Sequence, residues 1–312
     1  MDDLTLPRLT ELDTLIRHAG RHDPIRVAVV HSCDAISLKA ALDAHHEGLI
    51  SPILVAPRAR LEETALALNI SLDGIDIRDV PHSHAAAEQA VALARAGEVE
   101  ALMKGSLHTD ELMGAVVARD GLRTARRTSH CYLLQTPHYP RPFIVTDAAI
   151  NIAPTLEQKA DIIRNAIDLA HAIGVAEPRV AILAAVETVN ATMPATLDAA
   201  ALCKMADRGQ IAGGLLDGPL AFDNAISLAA AQVKGIRSEV AGRADILVVP
   251  DLESGNMLAK QLMYLGDAAS AGIVLGARVP IILTSRADTY ESRITSCALA
   301  LMLAHHYRRH RP

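Results

Sequence analysis

The sequence predicts an α/β protein of two domains with mostly parallel sheets, and three observations carry that reading. Short apolar runs alternate with longer helical stretches, the pattern of βαβ units. Half of the 312 residues are apolar, and that mass is mainly Ala, Leu, Ile and Val, which suits helices packed on a parallel sheet. The length favours two domains over one. A second domain inserted between a hairpin and the last strand divides the chain into 1–152 plus 277–312 and 153–276.

The elements follow in order. The opening segment, MDDLTLPRLTELDTLIRHAG, reads as an amphipathic helix and lacks the basic start and apolar run of a signal peptide. Ile25–Val30 reads as a strand and Ala35–Glu47 as a helix. Ser51–Ala56 is the next strand, and Pro57 opens another helix. Ile75–Val80 is a weaker strand, followed by an Ala-rich helix from Ser83 to Ala96. Glu100–Met103 is a strand leading into Lys104. Tyr132–Gln135 and Pro142–Thr146 leave no room for a helix between them and predict an antiparallel pair. Thr155–Ile173 is a long helix, with Pro154 as its start signal. Val180–Leu183, Gly213–Leu216 and Asp245–Val249 read as strands, separated by helices over Pro194–Ala206, Ala221–Ala231 and Gly255–Tyr264. The apolar run Val279–Leu283 is a buried strand, and Asp288–His306 is helical.

Composition narrows the function classes. A net charge of −6 argues against a general nucleic-acid binder, and the absence of Trp with only two Phe and five Tyr argues against stacking on aromatic rings. The four cysteines, Cys33, Cys131, Cys203 and Cys297, form no CxxC pair and read as reduced core residues. No stretch reaches the roughly 18 uncharged apolar residues of a membrane helix, so a cytoplasmic location is expected. There is no GxxxxGK[ST], no GxGxxG after the first strand, no GxSxG and no HExxH. The pairs His45-His46 and His305-His306 point to different helix faces and read as solvated residues rather than metal ligands.

Polar residues cluster where strands hand over to helices, the place where α/β sheets gather ligands. In GIVLGARVPIILTSRADTYES, the strand stops at Thr284-Ser285-Arg286. This places a hydroxyl beside a guanidinium fork suited to phosphate, and the alternative is a surface pair capping the next helix. Four further loops stand out. Lys104-Gly105-Ser106-Leu107-His108-Thr109 offers a Gly for close backbone approach, or a plain turn capped by Thr109. Thr146–Pro154 holds Asp147 and Asn151 as polar islands. In the third loop, Asp217-Gly218-Pro219 makes a turn after a strand, with Asp223 and Asn224 opening a helix. Asp251 lies in the fourth, Val249–Asn256. Four such loops point to one shared cleft, although capping and turn formation explain some of them singly.

Taken together, these segments resemble the phosphate acetyltransferase / phosphate butyryltransferase family. The matching text includes LMKGSLHTDELMGAVV, GLRTARRTSH, TDAAINIAPTLEQKADIIRNAIDLAHAIG, GGLLDGPLAFDNAIS, ADILVVPDLESGNMLAKQL and GIVLGARVPIILTSRADTYES, nearly continuous over Ala101–Ala300. The details are more similar to the butyryltransferase-like branch than to the acetyl-specific one. The resemblance implies a two-domain fold akin to isocitrate and isopropylmalate dehydrogenases, with mostly parallel sheets and an interdomain cleft. It implies reversible transfer of a short acyl group between CoA and phosphate, by direct transfer in a ternary complex. CoA, acyl-CoA, phosphate and acyl phosphate are then substrates, with no metal and no further cofactor, and a homodimer is expected.

The family pattern assigns oxyanion stabilisation to Ser285 and phosphate binding to Arg286. Where acetyl-specific members carry a catalytic Asp, this chain has Ser292, so Asp288 and Glu291 are the candidate bases. Where they carry an Arg, this chain has Gly114, and Arg123, Arg126 and Arg127 are alternative anion contacts. The substrate-binding set is therefore Lys104, Gly105, Thr109, Arg123, Arg126, Arg127, Asp147, Asn151, Asp217, Gly218, Pro219, Asp223, Asn224 and Asp251. Two rivals stand beside this reading. One is a metal- and NAD-dependent decarboxylating dehydrogenase on the same fold, which requires clustered Asp and a Tyr/Lys pair. The other is a non-catalytic CoA- or nucleotide-binding module, working with an enoyl-CoA hydratase partner. The acyl-chain preference is left open.

Overall fold

The computed structural model describes residues 11–284 and 288–312. It contains two compact units, one holding Arg127–Ser270 with Leu12, the other Asp13–Arg126 and Ala271–Pro312. These units cut the chain near residues 126 and 270, where the sequence reading cut it near 152 and 276; the β-hairpin goes with the central segment.

The terminal unit runs α1 (Leu12–Ala19), β1 (Ile25–Val30), α2 (Ala35–His46), β2 (Ile50–Ala56), α3 (Arg58–Ala67), β3 (Asp76–Asp79), α4 (Ser83–Arg95), β4 (Ala101–Lys104) and α5 (Thr109–Val117). The central unit follows with β5 (Ser129–Gln135), β6 (Phe143–Thr146), α6 (Leu156–Ala172), β7 (Arg179–Leu183), α7 (Pro194–Asp207), β8 (Leu215–Leu220), α8 (Phe222–Ile226), α9 (Leu228–Val233), β9 (Ile246–Val248) and α10 (Leu252–Leu265). The chain then returns through β10 (Ala269–Leu275), β11 (Ile281–Ile282) and α11 (Tyr290–Tyr307).

In the terminal unit β3, β2, β1, β4 and β11 are parallel neighbours in that order, and β10 closes antiparallel on β11. β1 and β2 are buried along almost their whole length, as a sheet covered on both faces requires. α11 is buried through Ile294–Ala304 and packs on β11 and α2.

In the central unit β5 and β6 form the antiparallel pair, and β6, β9, β7 and β8 continue parallel. Leu134, Phe143, Val145, Ala181, Leu220 and Leu247 share its core. α6 starts at Thr155 with a full capping box to Gln158, which satisfies two of its orphan N–H groups.

Two expectations are corrected. Asp217-Gly218-Pro219 is not a turn after a strand, because β8 runs through it to Leu220. Among the described residues β8 pairs only with β7, and an edge strand tolerates a Pro that cannot donate to the ladder. The helix expected over Ala221–Ala231 is two short helices, since the Ser227 side chain caps α9 by accepting from Ala230 N–H. All four cysteines are free thiols. Among the described residues, no helix is long and apolar enough to cross a membrane.

Candidate functional site

In the terminal unit the C-terminal ends of β1 and β4 build one polar rim. Gly105 follows β4, and its N–H donates to Val30 O at 2.9 Å. A Cβ there would lie 2.4 Å from Val30 O, so only glycine allows this approach. The next residue, Ser106, donates its hydroxyl to His31 O at 2.6 Å and accepts from Cys33 N–H at 3.3 Å. His31 sits at φ 56°, with Nδ1 3.1 Å from Ser106 Oγ. His31, Cys33, Asp34, Arg60 and Ser106 line a cavity of about 590 Å³. Burial, then Arg60, lowers the His31 pKa, and burial raises that of the Cys33 thiol. The rim therefore holds a neutral imidazole and a protonated thiol at pH 7.

Lys104 Nζ donates to Gly105 O at 3.2 Å and to Leu107 O at 3.0 Å, which ties the loop into a ring. Thr109 is the first residue of α5 and makes no side-chain cap; His108 occupies the cap position. Gly114, further along α5, has open space where a Cβ would stand. It borders a cavity of about 740 Å³ between α4 and α5, where His84 Nδ1 is 2.7 Å from Glu111 Oε1.

Ser285 and Arg286 lie outside the described residues. Around them, Asp288 is half-buried and Glu291 is exposed in the first turn of α11. Thr289 is the N-cap and accepts from the N–H of Ser292, which is buried. Ser292 therefore spends its backbone on the cap, and its carbonyl accepts from Ser296 Oγ at 2.8 Å.

In the central unit Asp147 organises its own loop. Its Oδ1 accepts from Ala149 and Ile150 N–H at 2.9 and 3.0 Å, and its Oδ2 from Asn151 N–H and Nδ2 at 3.2 and 2.6 Å. Asn151 Nδ2 also donates to Thr128 O at 2.8 Å, and its Oδ1 accepts from Arg127 Nε at 2.7 Å. Asp147 and Asn151 are both 3% exposed. This chain of buried donors and acceptors orients the exposed Arg127 guanidinium. α10 approaches closely from the other side. A Cβ on Gly255 would stand 2.8 Å from Asp147 O, and Asn256 Nδ2 donates to Ala148 O at 3.1 Å. Asp251 is the N-cap of α10, accepting from Ser254 N–H at 2.8 Å.

The remaining residues of the sequence-predicted set lie elsewhere. Asp217 on β8 accepts from Gly218 N–H at 2.8 Å and lines a cavity of about 360 Å³ with Asp207, Arg237 and Glu239. Pro219 is buried within β8. Asp223 is exposed on α8, whereas Asn224 is buried and donates to Glu187 Oε2 at 3.5 Å. The Arg cluster divides: Arg127 joins Asn151, Arg126 donates its N–H to Thr124 Oγ1, and Arg123 lines another cavity, with Arg95, Arg278 and Arg311. His31, Cys33 and Arg60 were missed by sequence reasoning. Their signals were the HSCD run at the end of β1 and the glycine that brings Ser106 beside it.

Comparison with known proteins decides what this loop system belongs to. The sequence pattern described as "Phosphate acetyl/butaryl transferase" matches residues 83–301. The chain belongs to the phosphate acetyl/butyryl transferase family. It is 59% identical over 296 residues to a phosphate acetyltransferase of Rhizobium meliloti, covering 95% of this chain and 94% of that one. It is 41% identical to a phosphate butyryltransferase of Clostridium acetobutylicum over 280 residues, 89% of this chain and 93% of that one. Its fold matches a branched-chain phosphotransacylase from Enterococcus faecalis V583 with a TM-score of 0.78 at 30% identity, over 90% of this chain and 99% of that one. Relatives named phosphate acetyltransferase and relatives named phosphate butyryltransferase both match the chain.

Proposed function

We propose that acetyl is the acyl group this chain transfers, and that the rim residues of the two units serve that reaction. As a member of this family the chain is a phosphate acyltransferase, moving a short acyl group reversibly between CoA and phosphate. The neutral-pH problem is the thiol: with a pKa of about 8.5, only a few per cent of CoA is thiolate at pH 7. A base that takes the thiol proton contributes roughly 10²–10⁴-fold. The sulfur then attacks the carbonyl carbon of the acyl phosphate, and the C=O electron pair moves onto oxygen. Collapse of that oxyanion breaks the C–O bond to phosphate, and the base returns the thiol proton to the leaving oxygen, so that phosphate departs as a dianion.

Within this proposal Ser285 donates to the oxyanion and Arg286 holds the phosphate bidentately, roles that rest on the family pattern. Asp288 or Glu291 is the base, and the neutral His31 is a third acceptor contributed by the β1 end. Lys104, Gly105 and Thr109 bind substrate from the terminal unit. Arg127, oriented by Asn151 and Asp147, and Asp251 do so from the central unit. An isocitrate dehydrogenase-like arrangement with an interdomain cleft, direct transfer in a ternary complex, a homodimer and a cytoplasmic location belong to the same proposal.

The observation that carries the acetyl assignment is the 59% identity to a phosphate acetyltransferase across 95% of the chain. The test is phosphate-dependent release of CoA thiol from acetyl-, propionyl- and butyryl-CoA, with and without a chelator. The proposal expects chelator-resistant release with the highest kcat/KM for acetyl-CoA. A higher kcat/KM for butyryl-CoA would refute the acetyl assignment, and a strict metal requirement would favour the dehydrogenase rival.

A further inference from the structure

The chain carries 36 acidic against 30 Lys and Arg side chains, and many of its arginines are paired. Arg26, Arg58, Arg78, Arg141, Arg164 and Arg308 each lie within 4.0 Å of a carboxylate. Four arginines of the terminal unit depart from this rule. Arg95, Arg123, Arg278 and Arg311 line one cavity of about 560 Å³, and no acidic side chain lines it with them. None of the four has an ion pair with a described residue.

The four arginine side chains are exposed, and the backbone that carries two of them is held in place. Arg278 N–H donates to Leu122 O at 2.9 Å, Thr124 Oγ1 donates to Gly276 O at 2.8 Å, and Arg123 bridges to Ala277. These bonds staple the two loops that bring Arg123 and Arg278 together. Arg95 and Arg311 arrive from the C-terminal ends of α4 and α11. A helix C-terminus carries about half a negative charge. The two together offset about one of four positive charges, and about +3 is left unneutralised.

The position separates this cavity from the candidate transfer site. It lies where β1 and β4 begin: Pro280 O accepts from Leu102 N–H, and Arg308 at the end of α11 pairs with Glu100 just before β4. Lys104 and Ser106 stand at the far end of β4, roughly 10 Å along the strand.

We propose that this arginine cavity is a second anion site, for a di- or triphosphate group. Four guanidinium forks line one cavity without an ion-pair partner among the described residues, which matches clustered phosphoryl oxygens and exceeds what a single carboxylate needs. The side chains around it supply charge, together with Tyr307 and a Thr124 hydroxyl already engaged with Gly276. The phosphate chain is recognised, not a base.

Equilibrium dialysis of inorganic tripolyphosphate, without CoA because CoA itself carries a diphosphate, tests this. The uptake that Arg278→Glu/Arg311→Glu removes reports the second site. Wild-type protein should take up tripolyphosphate more tightly than orthophosphate. Arg278→Glu/Arg311→Glu should weaken that uptake by roughly tenfold or more, while kcat and the phosphate KM stay at wild-type values. An ATP arm separates a nucleotide source from the free chain, and loss of either ligand in the variant supports the site. Equal binding by variant and wild type, or no uptake at millimolar ligand, would each overturn it. A folded variant is verified by its unchanged thiol-release kinetics.

Discussion

Ser285 and Arg286 are neighbours in sequence, and kinetics can tell the roles proposed for them apart. A donor aimed at the oxyanion acts only in the transition state, so Ser285→Ala should lower kcat by about 10²–10³-fold with little change in KM. A fork that holds phosphate in the ground state as well should show in both parameters: Arg286→Ala raises phosphate KM strongly. Steady-state kinetics in both directions decides, and a loss confined to KM for Ser285→Ala would remove its oxyanion role. Gly105 is a steric case. With 2.4 Å between a new Cβ and Val30 O, Gly105→Ala must displace the loop that carries Lys104 and Ser106. Overpacking of this kind costs about 1–3 kcal/mol. Urea unfolding should show that loss together with a raised CoA KM, and wild-type values of both would exclude tight contact at this loop.

At the scale of elements, the strands of the terminal unit were readable because their apolar runs are short and bounded by turn or cap residues. Ile25–Val30 and the Pro57 helix start appear in the structure within a residue of their predicted limits. β8 was misread because Asp-Gly-Pro carries turn chemistry, and only the pairing partner shows that this strand lies at an edge. The site was legible as loops and illegible as a constellation. Polar residues that interrupt an apolar run can be found by eye, so Asp147 and Asn151 stood out. Which loops face each other depends on sheet order, and for that reason Arg123 was grouped with Arg127 rather than with Arg278, more than 150 residues away. The Asp147 loop gives a prediction at this scale. Asn151→Ala removes the acceptor of Arg127 and one donor to a buried carboxylate. It should destabilise the protein by roughly 1–3 kcal/mol and raise CoA KM, as Arg127→Ala should. If Arg127→Ala leaves CoA KM unchanged, the chain Asp147–Asn151–Arg127 is structural only. The helix start at Thr155 is a simpler case: Thr155→Ala breaks the capping box and should cost about 1 kcal/mol of stability in urea unfolding with kinetics intact.

For the whole molecule, four buried or half-buried histidines make stability depend on pH. His130 is 1% exposed, packs its ring 4.3 Å from that of Tyr132, and has no hydrogen-bond partner for Nδ1 among the described residues. Burial pulls its pKa from 6.5 down to about 4, against a smaller upward pull from Asp147. Burial lowers His18, His22 and His31 as well. Each of these groups binds its proton more readily in the unfolded chain than in the folded one. The unfolded state therefore gains protons first as pH falls, and stability present above pH 6.5 is lost between about 6.5 and 4. For His130 alone, the interval corresponds to roughly 3 kcal/mol. The thermal midpoint should fall steadily across that window, and His130→Phe, which keeps an aromatic ring against Tyr132, should flatten the slope. Cys131 beside it, with its thiol pushed up to about 12, stays neutral throughout and adds nothing to the slope. A midpoint that is level from pH 6.5 to 4, or a slope unchanged in the variant, would mean that His130 is not held neutral by the fold. A flattened slope in His130→Phe with acyl transfer retained would make this histidine a packing residue, whose uncharged state the β5–β6 core demands.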